Sequence, residues 1–122
     1  MEPVIVDEGG VTVVEGQPDQ AFLTSARDVD RVIEACFGSS AGCVLLYASN
    51  LPAAFFDLSS RVAGDMLQKL RNYRIRLAVV CPPGSVSYSS RFGEMVTEEN
   101  RGEHFGVFET RAEAVEWIHA FA

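Results

Sequence analysis

Two short, almost uninterrupted apolar runs constrain the fold of this chain most strongly. The first is CVLLY at residues 43–47, and the second is IRLAVV at residues 75–80, which continues into Cys81. A strand that is apolar on both faces must be covered on both sides, as the central strands of parallel sheets are. The turn-forming letters SSAG precede the first run, and PPG at residues 82–84 stops the second. The two runs therefore predict buried strands inside a layered fold.

Amphipathic helices are predicted around these strands. After Ser25, apolar residues recur at three- and four-residue spacing, which places them on one helical face. Ser25 with Asp28 resembles a capping pair, and Gly38 is expected to end this helix in the left-handed conformation. After Asn50, a second helix has an apolar face for the sheet and a polar face for water. The first apolar face comprises Val29, Val32, Ile33, Cys36 and Phe37, and the second comprises Val62, Ala63, Met66, Leu67 and Leu70.

The remaining segments complete an alternating pattern. At the start of the chain, the β-branched runs VIV and VTVVEG flank the loop DEGG and predict a hairpin. A third helix is predicted around residues 88–96, with residues 100–102 at its end, and a short strand follows at residues 104–108. A T-x-x-E capping box at residues 110–113 begins the last helix, from which Trp117 is expected to pack on the sheet.

These elements predict the fold class. Strands that alternate with helices imply right-handed crossovers and a mostly parallel central sheet, to which the opening hairpin adds an antiparallel edge. The predicted fold is therefore α/β, in the order β-β-α-β-α-β-α-β-α. No linker or repeat interrupts the chain, and 122 residues are a usual length for one domain. We expect a single domain over residues 1–122.

Charge and the start of the sequence narrow the expected partners. The net charge of −7 repels phosphate backbones and anionic headgroups, so we expect no nucleic-acid partner. The N-terminal letters MEPVIVDEGG contain no basic region of the kind that begins a signal peptide. No apolar run approaches the roughly 20 residues that cross a bilayer. We therefore expect a cytoplasmic protein that does not enter a membrane.

The cysteines and the catalytic motifs point to no cofactor. The three cysteines are odd in number and never form a C-x-x-C pair, so we expect small core residues rather than disulfides or zinc ligands. The motifs G-x-x-x-x-G-K-[ST], H-E-x-x-H and G-x-G-x-x-G, which bind phosphate, zinc and dinucleotides, are absent from the sequence. We expect a protein without a cofactor, a metal ion or catalytic residues.

The letters FFDLSSR at residues 55–61 carry the main functional question. Asp57 or Ser59 can cap the second helix, because a side-chain oxygen at that position accepts a hydrogen bond from a free amide of the first turn. The same physics allows a regulatory interpretation. A serine in the first helical turn would place a phosphate group against free N–H groups and the positive end of the helix dipole.

A family resemblance favours the regulatory interpretation. The order of strand, loop, F-x-D with serines, amphipathic helix and a strand RIRLAVVCP, followed later by T-x-x-E-A, resembles the STAS domain of anti-sigma factor antagonists. In that family, a serine at the start of this helix is phosphorylated by a partner kinase. The resemblance implies that Ser59 is the first candidate phosphate acceptor and Ser60 the second, with Asp57 and Arg61 beside them.

A second resemblance covers nearly the whole chain. The stretch FFDLSSRVAGDMLQKLRNYRIRLAVV, together with ENRG and EAVEWI, resembles the bacterial family known as domain of unknown function 4180. This resemblance implies a STAS-like fold and assigns no reaction, substrate or binding residue.

Basic residues are concentrated in one part of this acidic chain. Half of the ten lysines and arginines lie within residues 61–76. They can form a patch for an anion or an acidic partner, or they can only offset the negative end of the second helix and flank the next strand. The patch comprises Lys69, Arg71, Arg74 and Arg76, with Arg61 at the start of the helix.

Together, these observations predict a regulatory, non-enzymatic module that contacts a protein partner around residues 57–61 and the basic residues beyond them. The alternative is a small-molecule-binding or enzymatic domain. Its pocket would lie at the carboxyl ends of the strands near Asn50 and Pro82, where α/β sheets often place ligands.

Overall fold

A computed structural model of the chain describes residues 4–18, 21, 23, 26–84, 89–99 and 102–120. It contains one five-stranded sheet in which the strands follow each other in chain order. The strands are β1 (Val4–Glu8), β2 (Val11–Glu15), β3 (Cys43–Tyr47), β4 (Arg76–Val80) and β5 (Phe105–Phe108). The α-helices are α1 (Val29–Ser39), α2 (Val62–Asn72), α3 (Ser90–Glu99) and α4 (Arg111–Ala120). The predicted α/β class and the predicted order of strands and helices are confirmed.

The predicted hairpin and the parallel part of the sheet are both present. Strand β1 pairs with β2 in antiparallel register, whereas β2, β3, β4 and β5 are parallel to their neighbours. Gly9 and Gly10 turn the hairpin with φ values of 61° and 93°, which glycine adopts without strain. The Gly10 N–H donates a hydrogen bond of 2.8 Å to the Asp7 carboxylate, which fixes the turn.

The helices cover the two faces of the sheet unequally. Because each new strand is added on the same side, right-handed crossovers place their helices on one face. Accordingly, Val44 and Leu46 of β3 pack in one core cluster with residues of α1, α2 and α3. Cys43 and Leu45 point to the other face and pack with residues of α4. The apolar runs that became β3 and β4 are therefore covered on both faces, as predicted.

The first helix begins and ends later than the sequence predicted. Helix α1 continues through Gly38 to Ser39, and Ser40, with a φ of 60°, takes the left-handed position that ends it. Asp28 makes no capping hydrogen bond, and Ser25 lies outside the described residues. Phe37 was predicted to be buried but is 62% exposed. It lies about 90° around the helix from the middle of the buried stripe, at 100° per residue.

The last helix is largely as predicted. The Thr110 hydroxyl accepts a hydrogen bond of 3.2 Å from the Glu113 N–H, so the capping box begins α4. Trp117 is 8% exposed, contacts the Phe108 ring and donates a hydrogen bond from its indole N–H to the Gly102 carbonyl. It therefore belongs to the core. For α3, the predicted Tyr88 and the predicted end at residues 100–101 lie outside the described residues.

Candidate functional site

Residues 57–61, which we call the corner, lie just before α2 and are exposed at Asp57, Ser59, Ser60 and Arg61. They follow strand β3, so they lie toward the carboxyl ends of the parallel strands. The polypeptide reaches them through tight turns rather than through an extended loop. These turns are the short 3-10 helices Ala48–Asn50 and Ala53–Phe56, and the corner itself contains a third, Leu58–Ser60.

The hydrogen bonds of the two serines differ. The N–H and the hydroxyl of Ser59 both donate to Oδ1 of Asp57, over 3.1 and 2.7 Å. The Ser60 hydroxyl instead donates to the backbone carbonyls of Ala54 and Asp57 and accepts a hydrogen bond from the Val62 N–H. Ser60 therefore supports the backbone of the turn. Among the described residues, the Ser59 hydroxyl contacts only the exposed carboxylate of Asp57, so it is the more accessible of the two.

The predicted capping of α2 by Asp57 or Ser59 is wrong. The helix begins at Val62, and the residue before it, Arg61, has a left-handed φ of 66° and gives no side-chain cap. Asp57 caps the Leu58–Ser60 turn instead. Ser59 lies three positions before Val62, so it is not in the first turn of α2. The sequence pattern missed this because an aspartate followed by serines begins a short turn as readily as it begins a helix.

A cluster of phenylalanines anchors the corner from below. Phe55 and Phe56, immediately before it, are 0% and 2% exposed. Both rings contact Phe92 of α3 edge to face, and Phe55 also contacts Phe105 of β5. The Ser89 N–H donates to the Phe56 carbonyl and ties the start of α3 to the same segment. The exposed corner is thus held on a rigid apolar base.

The structure divides the predicted basic patch into separate parts. Lys69 forms an ion pair of 3.2 Å with Asp30 of α1, and Arg71 forms a close ion pair with Glu99 of α3. These two cations join neighbouring helices. Arg74 and Arg76 lie beyond the end of α2 and line an open cleft. Arg61 lies at the opposite end of α2, so the five residues do not form one surface.

The cleft lies at the amino ends of β4 and β5 and has a volume of about 410 Å³. Arg76 is the first residue of β4, and the other lining residues precede β4 and β5. Nη1 of Arg76 is buried and has no hydrogen-bond partner among the described residues. The lining residues are Arg74, Arg76, Glu103 and His104. Sequence reasoning had placed the alternative pocket at the opposite ends of the strands.

At the carboxyl ends, Asn50 has a structural role. Its side chain is 0% exposed, accepts a hydrogen bond of 2.8 Å from the Tyr47 N–H and donates one of 2.7 Å to the Gln17 carbonyl. A Cβ at Gly16 would lie only 2.3 Å from Asn50 Oδ1, so glycine is required there. Asn50 therefore locks two loops together. Pro82 is exposed, and residues 85–88 beyond it lie outside the described part of the chain.

A charged cluster beside Tyr47 was not predicted. Arg111, at the start of α4, contacts both carboxylate oxygens of Glu15 and also pairs with Glu8. The Tyr47 hydroxyl donates to Glu15 over 2.5 Å. Burial alone would raise the pKa of Glu15, but the hydrogen bonds from Arg111 and Tyr47 and the charge of Arg111 hold that pKa below its usual value. The cluster joins the hairpin, β3 and α4.

The same contacts affect the other members of the cluster. Burial and the hydrogen bond to Glu15 raise the pKa of Tyr47 to about 12. Hydrogen bonds to Glu15 and Glu8 raise the pKa of Arg111. At neutral pH, Glu15 and Arg111 therefore stay charged and Tyr47 stays protonated, which suits a structural ion pair rather than proton transfer. Arg111 is 96 and 103 positions away from Glu15 and Glu8 in sequence, and Tyr47 is 32 positions from Glu15, so no local motif joins them.

The turn between α1 and β3 contains a motif that is typical of hydrolases. Residues 38–42 read GSSAG, which matches G-x-S-x-G with Ser40 as the central serine. In hydrolases, that motif forms a sharp turn from a strand into a helix. Here it leads from α1 into β3, in the opposite sense, and Ser40 ends the helix. The motif therefore has the wrong structural context for a nucleophile.

The cysteines are core residues, as predicted. Cys36, Cys43 and Cys81 are buried, and none of them forms a disulfide with another described residue. Burial, with a smaller effect from Cys43, raises the pKa of Cys36 to about 11, so its thiol stays protonated. Among the described residues, no three His, Cys, Asp or Glu side chains are grouped to hold a metal ion. No helix in the described ranges has the length and hydrophobicity needed to span a bilayer.

Comparison with known proteins identifies the family of the chain. Neither a search of curated proteins nor one of solved structures finds a match. A family model described as Domain of unknown function (DUF4180) matches residues 8–118, which include all four α-helices almost completely and every strand except most of β1. The match thus extends over the corner, the cleft and the Arg111 cluster alike. The chain belongs to the DUF4180 family.

Proposed function

We propose that this protein is a regulatory, non-enzymatic module with a STAS-like fold, and that it binds a protein partner through the corner at residues 57–61. The observation that carries the proposal is the display of Asp57, Ser59 and Arg61 as exposed side chains on a base of buried phenylalanines. A surface that is already ordered loses little entropy when a partner binds.

The polar groups of the corner suit recognition. Asp57 offers a carboxylate, Ser59 a hydroxyl, and Arg61 a guanidinium group that can form paired hydrogen bonds with a partner's carboxylate. Arg61 also has a left-handed backbone, a conformation that costs a non-glycine residue roughly 1 kcal/mol. Such strain is concentrated at functional positions in proteins, which supports a role for this arginine.

Phosphorylation of Ser59 would change this surface. The Ser59 hydroxyl donates to Asp57, and a phosphate group carries no proton to donate there and brings a charge of roughly −2. It would repel Asp57 and attract Arg61. The proposed switch is therefore the exchange of the Ser59–Asp57 hydrogen bond for a phosphate–Arg61 pair, which alters the surface that the partner contacts.

Site-specific photo-crosslinking in the native cells tests the proposal. A photoreactive amino acid at position 59 is expected to give one discrete crosslinked species, identified by mass spectrometry. Glu116 of α4 is exposed on the other side of the sheet, so the same probe at position 116 is the matched control. Arg61→Glu should remove the product at position 59.

Two results would overturn the proposal. One is equal crosslinking from positions 59 and 116, and the other is a product at position 59 that Arg61→Glu leaves unchanged. The intact mass of the protein from the same cells tests the switch separately. An added phosphate that Ser59→Ala abolishes supports it, whereas an unmodified mass under all growth conditions rejects it.

A further inference from the structure

A cleft is present at the other end of the sheet, away from the corner. The cleft at the amino ends of β4 and β5 has a volume of about 410 Å³ and is lined by charged and polar side chains. Small-molecule sites in proteins usually have volumes of roughly 300–1,000 Å³. The cleft therefore has the size of a metabolite site rather than of a surface for a second protein.

Arg76 is the central group of this cleft. Its position opposite Cys43 in the sheet register places it on the α4 face, and its charge opposes the effect of burial on the pKa of Cys43. Nη1 is buried without an acceptor among the described residues. A buried donor of a cationic group is costly unless an acceptor satisfies it. Arg76 also lines the cleft, so a small rotation of its guanidinium group would bring this donor to a ligand oxygen there.

Within the described part of the chain, three other arginines form ion pairs, in contrast to Arg76. Arg31, Arg71 and Arg111 each lie within ion-pair distance of an aspartate or glutamate. Arg76 has no such pair among the described residues, although Glu103 lines the same cleft. Among the described residues, the charge of Arg76 is therefore not neutralised by a direct contact of the kind that Arg31, Arg71 and Arg111 make.

Arg74 adds a second cation in a strained conformation. Its N–H donates to the Arg71 carbonyl, and the next N–H, of Ile75, donates to the Leu70 carbonyl. These two bonds form the helix-ending motif in which glycine usually occupies the left-handed position. Arg74 occupies it with a φ of 57° and an exposed side chain. Glycine would fit this turn with less strain. The presence of arginine instead suggests that its side chain has a function.

We propose that the cleft binds a small molecule with an oxyanion group, a carboxylate or a phosphate, held by Arg76 and Arg74. Two guanidinium groups provide the paired donors that such anions prefer. The His104 ring can contribute a further hydrogen bond. Glu103 disfavours polyanions and accepts hydrogen bonds from an ammonium or hydroxyl group elsewhere on the ligand. The expected ligand is thus a metabolite with one oxyanion group and a separate donor group.

NMR titration of the isotopically labelled full chain tests this site. The probes are inorganic phosphate for the phosphate source and lactate for the carboxylate source, added at constant ionic strength because salt screens such contacts. At least one probe is expected to shift the amide signals of residues 74–76 and 103–104 with saturation. The probe with the lower Kd identifies the preferred oxyanion.

Variants separate the proposed contacts from general charge effects. Arg76→Met should weaken binding roughly tenfold or more, because a hydrogen bond to a charged group is lost. Arg74→Gly should weaken it several-fold while keeping the turn, and Glu103→Gln should strengthen phosphate binding. Arg91 is an exposed arginine of α3, so Arg91→Met is the matched control and should leave Kd unchanged. If Arg76→Met does not fold, Arg76→Lys, which keeps the charge without the paired donors, replaces it.

The proposal is overturned if neither probe gives saturable shifts at concentrations up to about 20 mM, where even weak millimolar sites would fill. It is also overturned if Arg91→Met weakens binding as much as Arg76→Met does. Loss of anion binding would leave crosslinking at position 59 unaffected, so this site and the corner are tested separately.

Discussion

The corner and the cleft lie at opposite ends of α2 and differ in how their polar groups are satisfied. At the corner, both serines are hydrogen-bonded within the turn, and the segment rests on buried aromatic rings. At the cleft, Nη1 of Arg76 is buried without a partner among the described residues, and Arg74 is strained. A satisfied, exposed turn presents a fixed shape to a partner. A cleft lined by two arginines, one with a donor that lacks an acceptor among the described residues, instead suits the small ligand proposed above.

The aromatic base of the corner gives the largest expected effect. Phe55→Ala removes a fully buried ring that contacts three other phenylalanines and should lower the free energy of unfolding by about 3–5 kcal/mol. Urea denaturation followed by far-UV circular dichroism measures this. Phe37→Ala, at an exposed aromatic ring, is the control and should cost about 1 kcal/mol or less. Equal losses for both variants would contradict a rigid base beneath the corner.

The buried amide of Asn50 gives the next effect. Asn50→Ala leaves the Tyr47 N–H and the Gln17 carbonyl without this partner, and should lower the free energy of unfolding by about 2–3 kcal/mol. Asn72→Ala, at an exposed asparagine of α2, is the matched control. A stable Asn50→Ala protein that gains ligand binding at the carboxyl ends of the strands would instead favour the alternative pocket there.

The charged cluster around Arg111, which we call the Arg111 clamp, should make the stability of the fold depend on pH in the acid range. A carboxyl group whose pKa is lower in the folded state stabilises the fold above its unfolded pKa, and this contribution is lost as the pH falls through the folded pKa. The stability that Glu15 contributes should therefore decline as the pH falls below 4.5, the usual pKa of a glutamate side chain. Glu15→Gln should cost about 1 kcal/mol at pH 7 and flatten this acid dependence. Glu116→Gln, at an exposed carboxylate, should leave the urea midpoint-versus-pH curve unchanged, and a similar flattening in both variants would refute the clamp.

The two left-handed arginines give the smallest change in stability and the sharpest test of the comparison. Glycine relieves roughly 1 kcal/mol of strain at either position, but greater freedom in the unfolded chain offsets much of it. Arg61→Gly and Arg74→Gly should therefore each shift the urea midpoint only slightly. Arg61→Gly should reduce crosslinking at position 59, and Arg74→Gly should reduce anion binding. If either variant lost both functions, the two regions would not be independent.

The fold was predictable from the sequence because the strands and helices have strong local signals. The apolar run CVLLY became β3, the spacing of Ala63, Met66 and Leu70 gave the buried face of α2, and the Thr110 capping box began α4. These patterns depend on the period of a strand or a helix. Such a period is present in the sequence whatever the tertiary contacts are.

The sites were less predictable because their geometry depends on tertiary contacts. Helix α2 begins at Val62, later than predicted, because burial of Phe55 and Phe56 folds the preceding segment into short turns. The basic patch divided because Asp30 and Glu99, on other helices, pair with two of its members. Likewise, the clamp at Arg111 joins residues from three distant segments. The individual residues were visible in the sequence, but their partners were not.

The distribution of the buried thiols provides a built-in probe of how the protein opens. Cys36 belongs to the layer beneath α1, α2 and α3, whereas Cys43 belongs to the layer beneath α4. A thiol reagent modifies a protected cysteine only when the surrounding structure separates, so its rate at each site reports on one layer. Peptide mapping after brief alkylation would show whether the core layers on the two faces of the sheet open together or one before the other. No label or substitution has to be introduced for that measurement.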